Sequence, residues 1–123
     1  MIDIFKYNVS LLIACSALTA TTVFAAEKAA PYPNKPIRLI VPFPPGGGTD
    51  LVSRILQPAL TRALGQQILI DNRGGAQGIS GTAIGAKSDP DGYTLIIAEI
   101  GATAVAPWLY DQVPFDVTRD FAP

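Results

Sequence analysis

Ile37-Arg38-Leu39-Ile40-Val41-Pro42-Phe43-Pro44-Pro45-Gly46-Gly47-Gly48-Thr49 is the stretch from which the architecture unfolds. Its first five residues, rich in aliphatic and β-branched side chains and closed by proline on both sides, read as a short, mostly buried strand. The next eight can be neither helix nor strand. Three prolines preset the chain, and three glycines after them free it to take positive φ. A helix then starts near Asp50. Leu51, Ile55, Leu56, Ala59, Leu60, Ala63 and Leu64 recur at helical spacing as one apolar stripe, and Gly65 is the expected stop. Thr49 or Asp50 is the expected N-cap. Pro58 predicts a kink rather than a break, because the stripe continues in phase across it.

The same grammar repeats downstream. A second strand is predicted over 67–71, a second glycine loop over 72–78, and a short helix over 79–86. Ser88-Asp89-Pro90-Asp91-Gly92 is a strong turn signal before a third strand over 93–98. A third glycine loop, 99–103, leads to a helical patch around 104–110, and the segment 111–123 reads as irregular. The order β-α-β-α-β, with glycine after every strand, predicts an α/β fold with a parallel sheet and right-handed crossovers. Ligands in such folds bind beyond the carboxyl ends of the strands, where these loops lie.

Composition removes many chemistries. The chain has 123 residues, no histidine and one cysteine, so it cannot by itself supply a Ser-His-Asp triad, a Cys-His pair or a His-ligated metal site. No metal and no cofactor is expected. Nine basic against ten acidic groups leave a net charge of −1, with no basic run, and nucleic acid is not an expected partner. The glycine loops match neither the G-x-x-x-x-G-K-[ST] pattern nor G-x-G-x-x-G phasing, so nucleotide binding is unsupported. The first two loops do deliver backbone N–H groups to a helix N-terminus, a setting that attracts a carboxylate without Lys or Arg. They would equally serve as tight βα turns.

Residues 1–25 read as a secretory signal peptide. Lys6 lies near the start, an apolar run spans 9–20, and Val23-Phe24-Ala25 precedes the expected cut. Leu12-Ile13-Ala14-Cys15 also fits a lipoprotein box with Cys15 as the lipidated residue. Ordinary secretion is the expectation, and it leaves 26–123 without a cysteine.

Four blocks then carry a resemblance. Tyr32-Pro33-Asn34-Lys35-Pro36 running on through Gly47, Asp71-Asn72-Arg73 with its glycine loop, Asp89-Pro90-Asp91-Gly92-Tyr93-Thr94-Leu95, and Leu109-Tyr110…Pro114-Phe115-Asp116…Asp120-Phe121-Ala122-Pro123 occur in this order. Together they resemble the receptors of tripartite tricarboxylate transporters, the Bug family. The resemblance implies a periplasmic solute-binding protein with a type II periplasmic-binding-protein fold, whose two α/β domains close on a small carboxylate. Membrane transporter subunits are the implied partners. Residues 26–123 would then be the N-terminal part of domain I, holding only its β-α-β-α-β portion. Carried over by position, Phe43, Pro45, Gly46, Gly47, Gly48, Thr49 and Asp50 form the first wall of the implied ligand site. Gly75 and Ala76 come from the second loop, and Gly101, Ala102 and Thr103 from the third.

Several positions depart from the family pattern. Gly74 stands where proline is usual, Gln77 where glycine is usual, and Glu99 where a small hydroxylated residue is frequent. Glu99 is expected at a solvated loop edge, Arg73 in a structural role and Trp108 in the core. A small α/β enzyme using Asp50, Asp71, Glu99 or Asp116 is the rival class, but no spacing pairs these carboxylates and no nucleophile has an activating base. A non-functional remnant of such a receptor is the other alternative. The resemblance also implies a truncated chain, expected to bind carboxylates weakly and to associate.

Overall fold

The computed structural model describes residues 31–122. The signal-peptide reading of 1–25 and the lipidation reading of Cys15 therefore lie outside the described residues. Three strands form a parallel sheet: β1 (Ile37–Val41), β2 (Ile68–Asn72) and β3 (Thr94–Ile96), in the order β2-β1-β3. β1 runs down the middle, with Ile37 opposite Ile68, Leu39 opposite both Ile70 and Leu95, and Ile40 opposite Ile96. The parallel α/β architecture is thus as the pattern predicts. β2 begins and ends one residue later than expected because its pairing with β1 runs through Asn72 opposite Val41. β3 is shorter than expected, since only Arg38–Ile40 of β1 faces it.

Helix α1 (Gly48–Leu64) covers one face of the sheet and runs through Pro58 as a single element. Gly65, at φ 68°, ends it in the left-handed conformation and donates its N–H to the Thr61 carbonyl. Leu60 and Leu64 pack on Ile37, Leu39 and Ile68, which, with Ile70 and Ile97, make the core on that side. Helix α2 (Ile79–Ala86) lies on the other face, where Gly85 backs onto Ile96.

Two expectations about α1 fail. Gly47, not Thr49 or Asp50, occupies the N-cap, and no side chain caps it. The buried face also follows the predicted stripe only at Leu60 and Leu64. Asp50 and Ser53 are buried, and the Gln57 amide donates to the Ile68 carbonyl at 2.7 Å. Leu51, Ile55 and Leu56 point outward, Ile55 with 66% of its surface exposed. Side-chain hydrogen bonds to β2 therefore fix the helix's rotation, with the hydrophobic contacts of Leu60 and Leu64 confined to its last turns.

The region after β3 is helical where a loop was expected. A π-helical turn (Gly101–Val105) merges into α3 (Ala106–Leu109), and Ile100 already has helical dihedrals. A short helix α4 (Val117–Asp120) interrupts the predicted irregular tail, its Asp116 N-cap accepting N–H bonds from Thr118 and Arg119. Trp108, expected in the core, is 92% exposed. Among the described residues, no helix is long and apolar enough to cross a membrane, and no group of Cys, Asp or Glu is arranged to hold a metal ion.

Candidate functional site

The connection leaving β1 goes to β2 on one side, and β3 lies on the other side of β1. The carboxyl end of β1 beside β3 is consequently a switch point, where neighbouring loops part and leave a crevice. Three connections meet there. A Cβ built on Gly78 would lie 3.4 Å from the Phe43 ring and 3.4 Å from the Ala102 methyl, so the first, second and third connections touch around buried Gly78. Of the candidate set, Phe43 and Ala102 are both brought against Gly78. Pro45, Gly46 and Gly48 are exposed on the first connection, with Gly47 and Thr49 half-buried, while Gly75 and Ala76 are exposed on the second. Gly101, Ala102 and Thr103 belong to a helical turn instead of a loop, which is a correction to their expected setting.

The first connection is held from behind by Asp50. This side chain, 3% exposed, accepts from Gly46 N–H at 2.9 Å, Arg54 Nε at 2.9 Å and Asn72 Nδ2 at 3.0 Å. The Asn72 amide also donates to the Phe43 carbonyl at 3.1 Å. Asp50 and Asn72 thereby tie α1 and the first connection to the end of β2. The Arg54 guanidinium, followed by Gly46 N–H and the Asn72 amide, holds the Asp50 carboxyl at about 2, against an ordinary value of 3.8. It is an anion throughout the physiological range and is compensated by Arg54. In the sequence Asn72 stands only within the Asp71-Asn72-Arg73 block with no partner assigned to it, because nothing local marks one 22 residues away.

In front of this clamp the start of α1 is open. The first intrahelical bond runs from Leu51 N–H to the Gly47 carbonyl, which leaves Gly48, Thr49 and Asp50 N–H groups without an intrahelical acceptor. Among the described residues no side chain caps them. Seventeen aligned peptide units place partial positive charge at the same point.

The second connection is bent by an unusual run of backbone. Gly75, Ala76, Gln77 and Gly78 all have positive φ, Ala76 at 46° and Gln77 at 54°. Two non-glycine residues in this region store strain, and Gln77 does so at a position singled out above as a departure. Gly74 packs against the first connection: a Cβ there would be 3.0 Å from Pro44 Cδ. Arg73 donates through Nε to Asp71 at 2.9 Å, and Asp71 also accepts from Arg38 Nε at 2.7 Å. Arg73 is thus engaged in an exposed ion pair at the end of β2.

Two concavities are seen, one away from this end of the sheet and one bordering its third connection. One of about 490 Å³, lined by Lys35, Arg38, Lys87, Asp89, Asp91 and Tyr93, sits at the amino ends of the strands. Another of about 580 Å³ lies between Thr103, Trp108, Tyr110 and Phe115.

Comparison with known proteins gives a consistent answer. The family described as "Tripartite tricarboxylate transporter family receptor" matches residues 52–123. Protein BugT of Bordetella pertussis is 44% identical over 115 residues, covering 92% of this chain and 35% of BugT. Among solved structures, the periplasmic binding protein BugD aligns with a TM-score of 0.72 at 37% identity, over 75% of this chain and 30% of that one. MatC from Rhodopseudomonas palustris with bound malate aligns with a TM-score of 0.71 at 35% identity, over 75% of this chain and 31% of that one. The chain spans about a third of the length of the curated relatives it matches.

Proposed function

The chain belongs to the tripartite tricarboxylate transporter receptor family, and from that premise we propose that it forms one wall of a periplasmic receptor for a small carboxylate. The family is one of solute-binding receptors, not enzymes, and the solved relatives are periplasmic binding proteins. For this chain, the absence of catalysis, the export by residues 1–25 and the service to membrane transporter subunits are part of the proposal. So is the assignment of 26–123 to the N-terminal part of domain I.

The observation that carries the reading is the uncapped start of α1. Gly48, Thr49 and Asp50 offer three N–H groups at the positive end of a seventeen-residue helix, at the switch point of a parallel sheet. A carboxylate seated there is held without a basic side chain. Phe43, Pro45, Gly46 and Gly47 would shape the near side, Gly75 and Ala76 the second, and Gly101, Ala102 and Thr103 the third. Malate bound to MatC is the kind of ligand such a wall accommodates.

The test removes one donor and leaves the fold intact. Gly48 is the first helical residue, a Cβ there meets nothing, and Gly47 before it has φ −77° and ψ 170°, the extended conformation that a following proline requires. Gly48→Pro should preserve or slightly raise stability, by about 0.5 kcal/mol, while deleting the N–H. Amide NMR of the whole chain titrated with malate and succinate should show shifts at Thr49 and Asp50 that weaken severalfold in Gly48→Pro. Small carboxylates that leave these amides unmoved in the unsubstituted chain refute the proposal.

A further inference from the structure

Helix α1 meets the sheet through Gln57, Leu60 and Leu64, and the side turned away from the sheet is apolar where a surface helix ordinarily carries charge. Leu51, Val52, Ile55 and Leu56 are between 44% and 66% exposed. Farther along, Pro58, Ala59 and Ala63 are exposed as well. At about 100° per residue, Ile55 points directly away from Leu64, and Leu51, Val52, Pro58 and Ala59 lie within about 60° of it. The exposure is therefore one continuous strip along the helix and not a scatter of single residues. The other exposed apolar group, Ile100, Trp108 and Leu109, spans helical turns of five and four residues and offers no strip of this length.

The strip is graded in size. Its large side chains occupy the first half of α1, and its small ones, with the proline, occupy the second half. Such a strip complements its own reverse. With two copies antiparallel about a two-fold axis level with Gln57, Leu51 meets the partner's Ala63, Ile55 the partner's Ala59 and Leu56 the partner's Pro58. Every large side chain then faces a small one, as interdigitating helices need. Val52 lies along the aliphatic stem of the partner's Arg62. The two helix dipoles oppose each other, and a net charge of −1 per chain adds little repulsion. Covering both strips removes on the order of 1,000 Å² from water, the lower end for a specific interface. The pair is accordingly weak and dependent on concentration.

We propose that the outward face of α1 is an interaction surface for a second copy of this chain, the two α1 helices packing antiparallel as an isologous pair. The inference is independent of the carboxylate reading: it uses the side of α1 turned from the sheet and none of the N–H groups at its start.

Sedimentation velocity of the whole chain between about 5 and about 500 μM should show a monomer giving way to a dimer. Ile55→Lys places a strong helix former at the most exposed of these positions and sets a charge near the partner's Arg62. It should leave the melting temperature of a dilute sample unchanged and raise the dimer dissociation constant by about tenfold or more. Orientation is read by cross-linking in a Cys15→Ser background, where an introduced cysteine is the only one. Leu51→Cys and Ala63→Cys chains are oxidised separately and mixed. Each alone should stay uncross-linked, because equivalent positions lie about 18 Å apart along the helices, beyond the roughly 7 Å that a disulfide spans between Cα atoms. The mixture should cross-link. A chain that stays monomeric throughout, or a dissociation constant that Ile55→Lys leaves unchanged, overturns the proposal. So does a mixture that cross-links no more than the separate chains, and Leu51→Cys cross-linking to itself would mean parallel helices and overturn the arrangement.

Discussion

Gly81 and Gly85 sit four residues apart on α2, and replacing each by alanine isolates the packing that brings the first two connections together. Both substitutions gain the same helix propensity and the same reduction in unfolded-state freedom, about 1 kcal/mol. They differ in what the new methyl meets. At Gly85 it would lie 3.1 Å from Ile96 Cδ1 and 3.5 Å from Phe121 Cε1, both at the mobile ends of side chains. At Gly81 it would lie 2.7 Å from Pro42 Cα and 2.8 Å from Pro42 Cβ, and closer still to the Arg73 carbonyl oxygen. Those atoms are backbone and ring at the ends of β1 and β2, and they cannot rotate away. Overpacking of this kind costs about 3 kcal/mol, so Gly81→Ala should lose about 2 kcal/mol net while Gly85→Ala stays within about 1 kcal/mol of the original. For a domain of this size that is a fall in Tm of roughly 8–16 °C against a change of a few degrees. Thermal unfolding of the whole chain followed by far-UV circular dichroism reads both. A Gly81→Ala protein as stable as Gly85→Ala would mean that α2 does not press on Pro42, and the convergence of the first two connections would lose its support.

Other consequences can be checked with the same samples. Gln77→Gly removes a side chain from φ 54° and should raise stability by about 1 kcal/mol; an unchanged or lower Tm would show that the second connection is not strained there. The Asp50 carboxyl titrates at about 2 in the folded chain against 3.8 ordinarily, so its stabilising contribution is complete above 3.8 and is lost as the pH falls through about 2. Acid unfolding of Asp50→Asn should be flatter than that of the original across this window, and identical slopes would show the clamp to be absent. Trp108, the sole tryptophan and 92% exposed, should emit at a water-like wavelength in dilute solution. With Ile100, Leu109, Leu51 and Ile55 also exposed, raising the concentration should shift that emission to the blue as chains associate, whereas a buried emission at the lowest concentration contradicts the structure.

What the sequence disclosed and what it withheld divide along the range of the interactions. β1 was legible to the residue, as was α2, because proline and glycine punctuate both ends. The rotation of α1 was not. Apolar residues lie on more than one side of this helix, and periodicity alone takes the most populated stripe as the inner one. The inner side is chosen by Asp50 reaching Asn72 and by Gln57 reaching the Ile68 carbonyl, pairs that form only after β2 lies alongside. The start of the third helical stretch was missed for a different reason. Gly101 reads as a loop residue, yet here its missing side chain admits the Glu99 carboxylate to a helical turn. A glycine that makes space for a side chain looks, in sequence, the same as one that frees the backbone.

The two acids at the crevice show why residue type alone did not assign the site. Asp50 is the third residue of α1 and Glu99 immediately precedes the other helical stretch, so each would ordinarily be read as satisfying a helix start. Asp50 does not. Its carboxylate accepts from Gly46, Arg54 and Asn72, leaving the N–H groups of Gly48, Thr49 and Asp50 itself without an intrahelical acceptor, and Arg54 offsets its charge. Glu99 does the opposite: it lies on a first-turn N–H and brings an unpaired charge with it. One acid therefore leaves the first turn of its helix unpaired, and the other meets a first-turn N–H with the protein's own carboxylate. The direction each side chain takes, set by a β2 asparagine in one case and by a glycine two residues on in the other, decides which helix start keeps unpaired N–H groups.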